Sequence, residues 1–88
     1  MKQLINDLFN YYSMQIIYED DFRRFFQMRK GMTEEEIDEL WIDAQQLGMV
    51  SVGAEIVNGK VKIVLWRPED FEEPPREELE KLLERKTK

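Results

Sequence analysis

Apolar residues recur along the chain with two different periods. Over residues 2–12, Leu4, Ile5, Leu8, Phe9, Tyr11 and Tyr12 fall at i, i+3, i+4 and i+7, which predicts an amphipathic helix with a broad apolar face. The run "MQIIY" is rich in β-branched and aromatic residues and too short for a helix, so it predicts one strand. "EDDFRRFFQMRKG" then opens on carboxylates able to cap a helix, sets Phe22, Phe25 and Phe26 on one side, and stops at Gly31.

The third helix is the best marked. Thr33 and Glu36 have the spacing of a capping box, and Met32 with Ile37 that of a hydrophobic staple. Ile37, Leu40, Trp41, Ala44 and Leu47 are expected to form its buried stripe, with Gly48 closing it in a Schellman ending.

Beyond Gly48 the period changes to two. Asn58-Gly59 in "VSVGAEIVNGKVKIVLW" is the sequence of a two-residue type I′ turn. That turn sets Val57 opposite Lys60, Ile56 opposite Val61, Glu55 opposite Lys62, Ala54 opposite Ile63 and Val52 opposite Leu65. One face of the hairpin then reads Val50, Val52, Ala54, Ile56, Val61, Ile63 and Leu65, and is expected to cover the core. The other carries Ser51, Gly53, Glu55, Val57, Lys60, Lys62, Val64 and Trp66. Residues 1–67 are read as one domain. Residues 68–88 are read as an acidic, proline-broken linker and a final amphipathic helix with a stripe of Leu79, Leu82 and Leu83.

Charge and composition narrow the chemistry. The 88 residues contain neither cysteine nor histidine, which removes thiolate chemistry, the commonest general base and the commonest metal ligand. No glycine-rich phosphate loop or nucleophile–base pair stands in their place. The clustered carboxylates Glu35, Asp38 and Glu39 have no companion ligands of a calcium loop. No enzymatic activity, cofactor or metal is therefore expected. No membrane-spanning run or signal peptide is legible at the start, and the lack of cysteine fits a reducing compartment, cytoplasmic or nuclear. High charge without cysteine also suits a protein working at high temperature.

Helix, strand, helix, turn, helix and hairpin, carried by "DDFRRFF", "KGMT", "EEIDELWIDAQQLGMV" and "NGK", resembles the winged helix-turn-helix superfamily over roughly residues 1–67. The resemblance implies an α+β fold of three helices, a short strand and a two-stranded wing, here with an additional C-terminal helix. In DNA-binding members the third helix meets base edges. Here residues 33–47 carry six carboxylates and no cation, within a net charge of −6. A phosphate backbone repels such a helix, and base reading favours Arg, Lys, Asn or Gln.

In that respect the chain resembles the acidic winged-helix modules at the C-terminus of the middle subunit of replication protein A, which recruit partners through basic helices. That likeness implies a protein-interaction module of replication or transcription machinery. Glu35, Asp38, Glu39, Ile42 and Gln46 lie opposite the buried stripe of the third helix and would seat a basic amphipathic partner segment. Val64 and Trp66, on the outer hairpin face, would complete the surface unless Phe71 or the final helix folds back over them. The alternative is a small regulator of duplex DNA, dimeric through the first or last helix, gripping the backbone with Arg23, Arg24, Arg29, Lys30, Lys60 and Lys62. A purely structural subunit of a larger assembly is the third possibility.

Overall fold

The computed structural model describes residues 1–85. The fold is α+β, with four helices and a small three-stranded antiparallel sheet. Its elements run α1 (Lys2–Tyr12), β1 (Ile16–Tyr18), α2 (Glu19–Lys30), α3 (Glu34–Gln46), β2 (Ser51–Val57), β3 (Lys60–Trp66) and α4 (Arg76–Arg85). The strand order is β1-β3-β2, so β3 is central and both neighbours are edges.

The hairpin register is the one its turn dictates. Val57 pairs with Lys60, Ile56 with Val61, Glu55 with Lys62, Ala54 with Ile63 and Val52 with Leu65. Asn58 and Gly59 both take positive φ, 52° and 77°, as a type I′ turn requires. On the other edge β1 pairs Ile16 with Trp66, Ile17 with Leu65 and Tyr18 with Val64. Each strand therefore sends alternate residues to opposite sides of the sheet.

Each side of the sheet carries a core. On one side Ile17 and Leu65 join Ile5, Leu8 and Phe9 of α1, Phe22, Phe25 and Phe26 of α2, and Ile37, Leu40 and Ala44 of α3. Phe26 packs edge-on against Phe22 and Phe25 at ring-centroid distances of 4.8 and 5.1 Å, and Trp41 meets Phe22 at 5.0 Å. Each such aromatic contact adds about 0.5–1.5 kcal/mol to the burial itself. Asp21 is buried at the start of α2, where its carboxylate accepts the Tyr18 backbone N–H at 3.0 Å. A carboxylate in that position caps the helix and complements its dipole.

On the opposite side Ile16, Tyr18, Val57, Val64 and Trp66 close around Leu82 of α4, with Phe71 and Leu79 against them. The acidic segment after β3 is what turns α4 back. Arg67 ties it down, donating to Asp70 at 3.0 Å and to Asn6 of α1 at 3.3 Å, with its guanidinium 4.9 Å from the Phe9 ring centre.

Two expectations about burial need correction. Only the base of the hairpin is covered on the helix side, so Val52, Ala54, Ile56 and Val61 are exposed rather than core; Ile56 retains 74% and Val61 68% of its accessible surface. On this side the three-helix layer does not cover the distal half of the hairpin, whereas on the other side Val57, beside the turn, is buried in the second core. Leu47, expected in the α3 stripe, is also exposed, because the last turn of α3 leaves the core at Ala44. Trp41 is half-buried.

Gly53 of β2 is approached closely by the Trp66 side chain. A Cβ there would stand 3.3 Å from two atoms of the Trp66 indole, which lies across it. Gly53→Val is therefore expected to lose about 1–3 kcal/mol by overpacking. Leu82→Ala removes the central side chain of the second core and is expected to lose about 2–5 kcal/mol. Both losses are measurable by denaturant unfolding, with the Trp66 emission shifting red in the native baseline of the second variant.

Candidate functional site

The outward face of α3 is built by its two ends. At the start, the Thr33 hydroxyl accepts the Glu36 backbone N–H at 3.2 Å, and the Glu36 carboxylate accepts the Thr33 backbone N–H at 2.9 Å. At the finish, the Met49 N–H reaches the Ala44 carbonyl at 2.8 Å and the Gly48 N–H the Gln45 carbonyl at 3.1 Å. These are the two bonds of a Schellman motif, with Gly48 left-handed at φ 71°. Capped at both ends and anchored by Ile37, Leu40 and Ala44, the helix has a fixed rotation about its axis. Glu35, Asp38, Glu39, Ile42 and Gln46 accordingly all face solvent, as does Asp43 beside them. Ile42 keeps 51% of its surface exposed, an apolar side chain ringed by acids.

The residues of this face are not equivalent. Asp38 receives a hydrogen bond from the Arg23 guanidinium of α2 at 2.7 Å, and Glu19 holds the same guanidinium at 3.1 Å. The bond to Asp38 is the main cause that raises the Arg23 pKa, with partial burial opposing it. Asp38 thus ties α3 to α2, whereas Glu35, Glu39 and Ile42 take part in no such tie among the described residues.

Val64 and Trp66 do not belong to the surface. They retain 1% and 7% of their accessible area beneath α4, which removes them as docking residues. The reason is the backfolding of Phe71, Leu79 and Leu82 onto that side of the sheet. The apolar surface the hairpin does offer is on its other side, at Val52, Ala54, Ile56 and Val61, residues whose alternation reads as core-facing. No sequence signal distinguishes a covered stretch of an apolar strand face from an uncovered one. Leu79 and Leu82 are likewise engaged inside the molecule, whereas Leu83 of the same stripe is exposed.

The six cations considered for DNA also divide. Arg23 is held by Glu19 and Asp38, Lys30 by Asp7 at 3.3 Å, and Lys62 by Asp20 at 3.2 Å. Arg24, Arg29 and Lys60 are exposed and make no ion pair among the described residues. Arg24 and Arg29 lie on α2 beside Tyr11 of α1, where Arg29 stacks 4.6 Å from the ring centre. Lys60 is at the hairpin tip. Balancing of these cations by acids such as Asp20 is a reading the sequence allows, and Glu19 with Arg23 has i,i+4 spacing. Which acid meets which cation across elements is not legible, since Asp7, Asp20 and Asp38 lie on other elements than their partners.

Among the described residues no group of three or more acidic side chains is placed to hold a metal ion, and no helix is long and apolar enough to cross a membrane. In comparisons with known proteins, no family model, curated protein or solved structure matches the chain.

One titration checks the ion pairs directly. Gln3 donates to Asp7 at 2.7 Å, and this bond together with Lys30 holds the Asp7 carboxyl below the usual carboxylate value of 3.8. A group lowered in this way stabilises the fold above its unfolded pKa, and that contribution is lost as pH falls through the lowered folded value. Asp7 is expected to titrate below 3.8 by NMR and to move back toward it in Lys30→Met.

Proposed function

We propose that the chain is a winged-helix module that docks a basic amphipathic segment of another protein, within machinery that processes DNA or RNA. The element order supports the fold reading, with α2 and α3 as the helix-turn-helix and β2–β3 as the wing. The observation that carries the functional reading is the α3 face. On the winged-helix reading this helix takes the place of the recognition helix of DNA-binding members. Yet it offers Glu35, Glu39 and Asp43 around the half-exposed Ile42 and no cation of its own, Arg23 of α2 being paired with Asp38. An apolar anchor ringed by one sign of charge suits a partner of the opposite sign. The anchor supplies affinity, while the charges steer the encounter and reject wrong partners. The exposed wing residues Val52, Ile56 and Val61 give the partner a second apolar contact.

Duplex DNA binding is the less supported reading. It relies on six cations, of which Arg23, Lys30 and Lys62 are already neutralised by acids of the same chain. The remaining three are set against a net charge of −6.

The test is a fluorescence titration with a labelled basic amphipathic helical peptide. Ile42→Lys is expected to weaken binding by roughly thirtyfold, the loss typical of a central anchor. Glu35→Gln with Glu39→Gln should act mainly by slowing association at low salt. Lys60→Glu with Lys62→Glu should leave peptide binding intact. Unchanged affinity in Ile42→Lys would overturn the proposal.

A further inference from the structure

A second surface of opposite character lies between α1 and α2. Tyr11, Tyr12, Arg24, Phe25, Met28 and Arg29 line a groove of about 330 Å³, and none of its lining residues is acidic. Its floor is aromatic, with Tyr11 5.0 Å from Tyr12 and 5.4 Å from Phe25 between ring centres. The Tyr12 hydroxyl donates to the Asp21 carbonyl at 3.2 Å, which holds that ring in place. Met28, which also lines the groove, is 73% exposed, and its thioether adapts to varied partner shapes. Arg24 and Arg29 are exposed there and make no ion pair among the described residues, unlike Arg23 and Lys30 beside them.

We infer that this groove binds an acidic peptide segment with an apolar anchor. The anchor would enter between Tyr11 and Met28, and flanking carboxylates would take charge-assisted hydrogen bonds from Arg24 and Arg29, whose planar guanidinium groups suit bidentate contact. Charge complementarity alone would also admit single-stranded nucleic acid, but the rings are arranged against it. A strand needs a succession of open aromatic faces along a basic channel. Here Arg29 takes one face of Tyr11, Phe25 is buried, and Tyr12 is held edge-to-face, so no succession of open rings is offered. The half-exposed Tyr11 beside Met28 leaves room for a single apolar side chain. Two arginines also suffice for a short peptide, whereas a strand brings many phosphates toward an acidic protein.

The module would then hold an acidic segment on the α1–α2 groove, apart from the face of α3. This inference stands on different residues from the α3 proposal, and each can fail without the other. Three probes separate the outcomes: a synthetic peptide with acidic residues on both sides of a phenylalanine, its counterpart with lysines, and oligothymidylate. The acidic peptide is expected to shift the ring resonances of Tyr11 and Phe25 and the Met28 methyl in NMR spectra of the whole chain. Arg24→Glu with Arg29→Glu should weaken it by about tenfold or more, and the neutral pair Arg24→Gln with Arg29→Gln by less. Both arginines are exposed, so circular dichroism should show the fold retained. The lysine peptide should leave these resonances unmoved. No shift with the acidic peptide, equal binding by the charge-reversed variant, or tighter binding of oligothymidylate in the same groove would each overturn the inference.

Discussion

β3 is gripped from both sides, and most of the molecule's organisation depends on that. Leu65 points into the three-helix core, while Val64 and Trp66 point into the core closed by α4. A central strand with one apolar face would leave the other wet, and α4 would have nothing to fold onto. Because both faces are apolar at the base of the hairpin, the sheet becomes the middle layer of three. Gly53 belongs to the same constraint. A Cβ at that position would press on the Trp66 indole, so glycine lets the ring approach β2 closely.

Much of this is legible in local chemistry. Asn58-Gly59 sets the hairpin register to the residue, since its turn type leaves no freedom in pairing. Thr33, Glu36 and Gly48 mark the ends of α3 because each supplies a partner for backbone groups the helix cannot satisfy itself. What local chemistry does not convey is how far one layer extends over another. Alternation shows that Val52, Ile56 and Val61 share a face with Leu65, but α1, α2 and α3 leave that part of the face uncovered. Val64 and Trp66 show the converse. They look like an exposed patch until the chain after Arg67 turns back.

The candidate surfaces follow the same division. The acidic outward face of α3 is legible from helical spacing alone, because Ile37, Leu40 and Ala44 fix which side is buried. The fate of the cations is not, since Arg23 finds Asp38 fifteen residues away and Lys62 finds Asp20 forty-two residues away. Exposed ion pairs of this kind contribute little stability, roughly 0–1 kcal/mol each. Their larger consequence is for binding. They lower the positive potential that a DNA-binding surface needs, while negative charge on α3 and positive charge at Arg24 and Arg29 stay uncompensated.

The proposed partner of the α3 face is a basic protein segment and not a nucleic acid. The most direct measurement is the salt dependence of binding, compared for a duplex DNA and a basic amphipathic peptide on the same preparation. Among the described residues only three of the six candidate cations are left unpaired, and those are divided between the α1–α2 groove and the hairpin tip. Duplex affinity is therefore expected to be no tighter than non-specific levels near physiological salt, about 10⁻⁴ M or weaker, with a shallow salt slope. The peptide should bind more tightly and retain affinity through its apolar anchor as salt rises. Sub-micromolar duplex binding at physiological salt, with a steep slope and no peptide binding, would contradict it.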